Sequence, residues 1–155
     1  MNTFFRFLGV TLLIGAAFSV AQSQERKIKR SQLPPAVEQT VAKESAGATI
    51  KGLSTEVEHG RKFYEVELTV NGHEKEILID KKGNVVEVEE EVSLDSLPSA
   101  VQQGLKKRAG SGKIINVESI IKKGNLVAYE AEVKYRNKRR EIQVGPKGEK
   151  LKRQE

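Results

Sequence analysis

The chain has 155 residues, 37% of them hydrophobic and 31% charged, with no cysteine and a formal net charge of +6. Without cysteine there is no disulfide framework and no cysteine-borne lipid, so the fold must be held by its core alone. The charge is uneven: residues 31–92 hold seven Lys/Arg against thirteen Asp/Glu, and residues 93–155 hold fifteen against seven. An acidic half followed by a basic half bears on the choice of partners.

Arg6 precedes an uncharged, mostly apolar run from Phe7 to Val20, and Ser19-Val20-Ala21 puts small residues where an export peptidase cuts. The run is shorter than the roughly 20 residues that span a bilayer. Residues 1–21 therefore read as a signal peptide cleaved after Ala21, with a protein that is periplasmic or secreted and has no transmembrane segment once mature. Residues 22–30, with Arg26, Lys27, Lys29 and Arg30, read as a flexible basic linker.

Leu33, Val37 and Val41 fall at i, i+4 and i+8, one stripe of a helix. Pro34 and Pro35 sit in its first turn, where a missing N–H leaves no bond unmade, and Gly47 is a plausible stop. Leu53, Thr55 and Val57 predict a first strand ending at His59-Gly60. Tyr64, Val66, Leu68 and Val70 alternate with Glu65, Glu67 and Thr69, which predicts a half-buried strand. Asn71-Gly72 is a hairpin signal because both positions need a positive φ. Ile77 and Ile79 continue the apolar face. Asp80-Lys81-Lys82-Gly83 reads as a type I turn, and Val86 and Val88 form a last strand.

The second half runs the same way. Leu97, Val101 and Leu105 form a helical stripe opened by Pro98 and stopped near Gly110. Gly104 inside it costs about 1 kcal/mol against Ala, which marks this helix as the weaker one. Strands follow at Ile115–Ile121, at Val127–Tyr135 and at Ile142 and Val144, with a short end near Leu151.

The two halves are copies. Leu33-Pro34-Pro35-Ala36-Val37 recurs 64 residues later as Leu97-Pro98-Ser99-Ala100-Val101, and Gly60 recurs as Gly124. Tyr64-Glu65-Val66-Glu67 recurs as Tyr129-Glu130-Ala131-Glu132, Glu76-Ile77-Leu78-Ile79 as Glu141-Ile142-Gln143-Val144, and Gly83 as Gly148, all at an offset of 65. One inserted residue between Gly124 and Tyr129 accounts for the slip. The expected fold is α+β in two tandem repeats, 31–92 and 93–155, each one helix packed on a four-stranded antiparallel meander. A unit of about 60 residues buries only ~60% of its extended surface and is marginal alone, so the copies are expected to share a core or dock sheet to sheet.

Leu-Pro-x-Ala-Val opening a helix, a Gly turn, Tyr-Glu-Val-Glu, Glu-Ile-x-Ile-Asp and x-x-Gly together resemble the PepSY domain, and more narrowly its PepSY-like, β-lactamase-inhibitor-like group. The resemblance covers about Ser31 to Leu151 in two copies. It implies an exported, non-enzymatic α+β module that inhibits or chaperones a secreted or periplasmic enzyme such as a peptidase, with no catalytic residues and no cofactor to carry over. The tandem also resembles the two-repeat layout of a β-lactamase inhibitor protein. The second copy departs from the pattern where Gly145-Pro146 replaces the Asp of the Asp80 turn.

The residues themselves offer no catalytic set. His59 and His73 lie in turns at opposite ends of a strand, roughly 30 Å apart at about 3.3 Å per residue, so they cannot share a metal or a proton. Glu87, Glu89, Glu90 and Glu91 form an acidic run that is strand-like and unlike a calcium loop. It reads as a solvated strand edge or a face that docks on the basic copy. Lys134, Tyr135, Arg136, Lys138, Arg139 and Arg140 make the densest cationic stretch. Its readings are a solvated, edge-protecting hairpin, an acidic protein or lipid surface, and nucleic acid, the last disfavoured for want of stacking residues. Tyr64 and Tyr129 occupy equivalent strand positions and are either core aromatics or partner contacts on the sheet face. Three functions follow: a binding module for another exported protein, an envelope-surface or anionic-polymer or lipid binder acting through 134–140, and a head-to-tail oligomer of acidic and basic copies.

Overall fold

The computed structural model describes residues 25–58 and 60–155. The predicted signal peptide, residues 22–24 and His59 lie outside the described residues. In chain order the elements are β1 (Arg26–Lys27), α1 (Pro35–Glu44), β2 (Thr49–Glu58), β3 (Arg61–Val70), β4 (His73–Asp80), β5 (Val85–Glu91), α2 (Ser99–Ala109), β6 (Lys113–Lys122), β7 (Asn125–Tyr135) and β8 (Lys138–Val144). The strands form one antiparallel sheet in sequence order, β1 to β8.

Both helices lie on one face of this sheet, each over its own core. Val37 and Val41 of α1 are fully buried against Tyr64, Val66, Leu68, Ile77 and Ile79. Val101, Leu105 and Ala109 of α2 pack on Val117, Ala131, Val133, Ile142 and Val144. The predicted stripes are buried at Val37 and Val41 and at Val101 and Leu105, whereas Leu33 and Leu97 precede the helices, which begin at Pro35 and Ser99, and pack on the cores from the entering turns. At roughly 1.5–3 kcal/mol per fully buried aliphatic side chain, these clusters are the main stabilising term. The copies do not share a core. They join edge to edge where β5 pairs with β6, from Glu87↔Lys122 to Glu91↔Glu118, so the acidic run is an interior strand at the seam rather than a solvated edge.

The offset slip has a structural identity. In β6–β7 the register passes from Ile120↔Ala128 to Ile121↔Leu126, which leaves Val127 as an extra residue. The matching stretch of β2–β3 has no such break. Val127 is a β-bulge, the device by which a strand takes one residue more than its partner. A second bulge sits at the same place in both copies, between Ile50 and Gly52 and between Ile114 and Asn116.

Two expectations need correction. The second copy has three strands, not four: beyond β8 only a single bridge, Val144↔Lys150, remains. Pro146 has no N–H to give to a ladder, and the chain leaves the sheet there. The basic arm is not a free linker either. Arg26 and Lys27 pair with Thr55 and Ser54 as an edge strand, Ile28 packs on the first core, and Arg30 forms an ion pair with Glu38 at 2.7 Å.

The final turn of each copy presses on its helix. Gly83 and Gly148 both adopt a left-handed φ, +86° and +78°, and a side chain on either would strike the carbonyl of Ala36 or Ala100. In the first copy the Thr40 hydroxyl donates to the Gly83 carbonyl at 2.6 Å. Gly104 stands at the position of Thr40 in the second copy, and there the helix backbone meets the Gly148 carbonyl directly.

Candidate functional site

Two surfaces stand out, a carboxylate face and a basic corner. The first follows from strand alternation. Because Val66, Ile77, Val88 and Ala131 face the helices, their neighbours face away. Tracing the register across the sheet puts Glu56 and Glu58 of β2, Glu65 and Glu67 of β3, Glu74 and Glu76 of β4, and Glu87, Glu89 and Glu91 of β5 on the helix-free face. Glu118 of β6, Glu130 and Glu132 of β7 and Glu141 of β8 continue it. Several stand directly opposite one another, as in Glu67↔Glu76, Glu76↔Glu89, Glu91↔Glu118 and Glu118↔Glu130. Like charges opposite each other on a sheet are destabilising, so this face favours cations.

Some neutralisation is internal. Lys122 lies 3.5 Å from Glu87 across the seam, Arg139 meets Glu132 at 3.0 Å, and the Gln143 amide donates to Glu130 at 2.7 Å. Glu56, Glu65, Glu76, Glu89, Glu118 and Glu130 are each engaged in an interaction. Burial pushes the Glu87 carboxyl above its ordinary range; Lys122 opposes this, and the charges of Glu58 and Glu155 add to it. The backbone N–H of Glu155 donates to Gln143 Oε1 at 2.8 Å, which brings the C-terminal tail onto this face. Apolar residues sit among the acids: Phe63, Leu78, Ile120 and Ala128 share the face and are buried. Glu25, Glu65 and Glu67 also bring one carboxylate oxygen each within 4.8 Å of one another, a gathering invisible in a sequence where Glu25 belongs to a presumed linker.

The basic corner is built by α2 and the β7–β8 hairpin. Gly110 ends the helix, and Gly112 lets the chain turn tightly over Val133 and Lys134. Arg140 donates to the Arg108 carbonyl at 2.8 Å and the Ala109 carbonyl at 3.2 Å, placing a cation on the negative end of the helix. This brings Lys106, Lys107 and Arg108 of the last helical turn to the hairpin of Lys134 to Arg140. At the tip Arg136 holds a left-handed φ of +52°, and its guanidinium lies 5.3 Å from the Tyr135 ring. Tyr135 is 45% exposed. The sequence singled out the hairpin; the contribution of α2 and of Lys113, which pairs with Lys134, needed the fold.

The remaining candidates lie elsewhere. Tyr64 is 7% exposed in the first core, and Tyr129 is partly buried against the second. Both face the helices, so their placement is that of core aromatics. His73 is an exposed residue at the start of β4, 3.9 Å from Glu91. The Asp80 turn is self-contained. Burial raises the Asp80 carboxyl, but bonds from Asn84 and Lys82 outweigh this and hold it below its ordinary range. In the second copy Gly145 replaces Asp80, and the Glu149 carboxylate fills the space over it. Glu149 accepts the Lys147 N–H at 2.9 Å, as Asp80 accepts that of Lys82 at 2.8 Å.

Among the described residues no helix is long and apolar enough to cross a membrane. Comparison with curated proteins returned no match. Solved structures share the fold. One described as a putative periplasmic protein from Bacteroides eggerthii matches with a TM-score of 0.64 at 21% identity, over 79% of this chain and 88% of that one. A DUF2874 family protein from Bacteroides ovatus gives 0.61 at 22% identity, over 78% and 86%. A BLIP-like protein from Bacteroides fragilis gives 0.57 at 20% identity, over 77% and 83%. The family described as "Putative beta-lactamase-inhibitor-like, PepSY-like" matches twice, over residues 19–87 and 62–151. Those two matches follow the duplication seen in the strands, the bulges and the paired glycine turns, and the chain belongs to this PepSY-like family.

Proposed function

We propose that the chain is an exported, non-catalytic binding module whose helix-free sheet face engages a cationic patch on another exported protein, an enzyme that it restrains or chaperones. The observation that carries this reading is the face itself: thirteen carboxylates from seven consecutive strands, several directly opposed, with neither α1 nor α2 over them. Electrostatic complementarity of this kind sets specificity and association rate.

A non-catalytic role is supported by the hydroxyls. Those of Thr40, Ser96 and Ser119 donate to backbone carbonyls, so none of the three is activated by a base. The family description, β-lactamase-inhibitor-like, points to an enzyme as partner.

The test is site-directed photo-crosslinking in the cell envelope. A crosslinker at Glu74 or at Glu141 gives one discrete adduct with an exported protein, and a crosslinker at Gln103 on the helix side does not. The purified chain then slows that partner's reaction stoichiometrically or protects it from aggregation. Absence of any hetero-adduct from the sheet face, or equal labelling from Gln103, overturns the assignment.

A further inference from the structure

The basic corner lies at one end of the sheet and makes limited use of its own charge. Arg139 and Arg140 are engaged, one with Glu132 and one with the end of α2. Lys134, Arg136 and Lys138 are exposed and have no ion pair with a described residue. Lys106 and Lys107 add exposed charge from the helix end.

We propose that this corner seats the chain end-on against an anionic lipid surface. The deciding feature is how the cations are distributed over the hairpin. Lys134 belongs to the helix-free face with its partner Arg139, Tyr135 and Lys138 belong to the helix side, and Arg136 sits at the turn between them. A partner laid flat on the sheet meets one face of a hairpin. A planar surface approached by the tip meets both faces at once. Tyr135 suits that approach: it is an exposed ring with a polar end, flanked by long cationic side chains whose stems bury while their heads remain wet. Lipid headgroups also ask for no shaped pocket, only for charge within a Debye length. In this orientation the carboxylate face stays clear of the surface, as like charge requires.

Each cation near an anionic bilayer contributes about 1 kcal/mol, roughly fivefold in the partition coefficient. Three neutralised cations therefore weaken binding by about a hundredfold. The test uses residues 22–155, which carry every described element and both cores, in co-sedimentation with vesicles of phosphatidylglycerol in phosphatidylcholine and with phosphatidylcholine alone. The chain pellets with the anionic vesicles only, and less as salt rises. Lys134→Gln/Arg136→Asn/Lys138→Gln abolishes pelleting. Asn is used at 136 because Asn71 holds the same +52° at the matching turn of the first copy. Lys43→Gln/Lys81→Gln/Lys82→Gln removes the same charge from the first copy and leaves binding within a few-fold. Should the triple variant not melt cooperatively, Arg136→Asn alone gives the fivefold loss. No preference for anionic vesicles, or equal losses from the two triple variants, overturns the proposal. So does salt-sensitive self-association of the vesicle-free chain that the hairpin variant removes, which would assign the corner to the acidic face of a second copy.

Discussion

Gly104 separates two accounts of the second helix by the sign of one measurement. A glycine inside a helix costs about 1 kcal/mol against alanine, so from helix propensity alone Gly104→Ala stabilises the protein. In the fold, a Cβ at 104 would meet the Gly148 carbonyl oxygen and the rest of that residue's backbone. Overpacking of a filled site typically costs about 1–3 kcal/mol. The obstacle is backbone in a left-handed turn that is itself wedged against Ala100, so no side chain can swing aside to relieve it. With an unyielding neighbour the cost falls in the upper part of that range, about 2–3 kcal/mol, so after the propensity gain the expected net effect is a destabilisation of roughly 1–2 kcal/mol, which lowers the melting temperature by roughly 4–8 °C for a chain of this size. Thermal and urea unfolding followed by circular dichroism read it directly. Gln103→Ala, one residue away with no such neighbour, leaves the melting temperature within a degree or two. A Gly104→Ala protein as stable as its parent, or more so, would refute the close approach of helix and turn.

Two further outcomes follow from the same geometry. Glu149→Ala removes the acceptor of the Lys147 N–H and costs about 1 kcal/mol in the parent, but much less in a Gly145→Asp background, where the new carboxylate takes the place that Asp80 holds in the first copy; a strictly additive double-mutant cycle would contradict this exchange of roles. Glu87 carries a raised carboxyl pKa chiefly from burial, so from its ordinary 4.5 up to the raised value the folded chain holds a proton that the unfolded chain has released. Stability conferred by that site therefore falls as pH rises through the window. Glu87→Gln lies above its parent in denaturant midpoint at neutral pH and converges with it below about pH 4; a gap that widens on acidification would contradict the sign.

Much of the fold is legible in the order of residues. Period-two alternation at Tyr64–Val70 and period-four spacing at Leu33, Val37 and Val41 report burial directly, because burial is what imposes those periods. Even the bulge is visible, as the change of offset from 64 to 65 that Val127 introduces. What stayed hidden depends on pairing. Arg26 and Lys27 form a strand too short to have a period, held by the neighbour β2 and by Ile28. Gly104 looks like a helix defect because its reason, Gly148, lies 44 residues away in the chain. Of the two surfaces, the hairpin cluster is local and was read. The carboxylate face was not, since each strand shows only alternate glutamates and the register alone stacks them.

The charge asymmetry therefore changes meaning on folding. Along the chain it separates an acidic copy from a basic one. In the sheet it separates a face from a corner, because Glu118, Glu130, Glu132 and Glu141 of the basic copy join the acids of the first. That arrangement needs the copies to be coplanar, and coplanarity rests on the β5–β6 seam, since the helices cover separate cores and tie nothing across it. Either copy alone would present half the face, with an unpaired edge beside its glutamates. Joining edge to edge rather than core to core satisfies both strands' backbone groups and doubles the span of one continuous carboxylate-bearing surface.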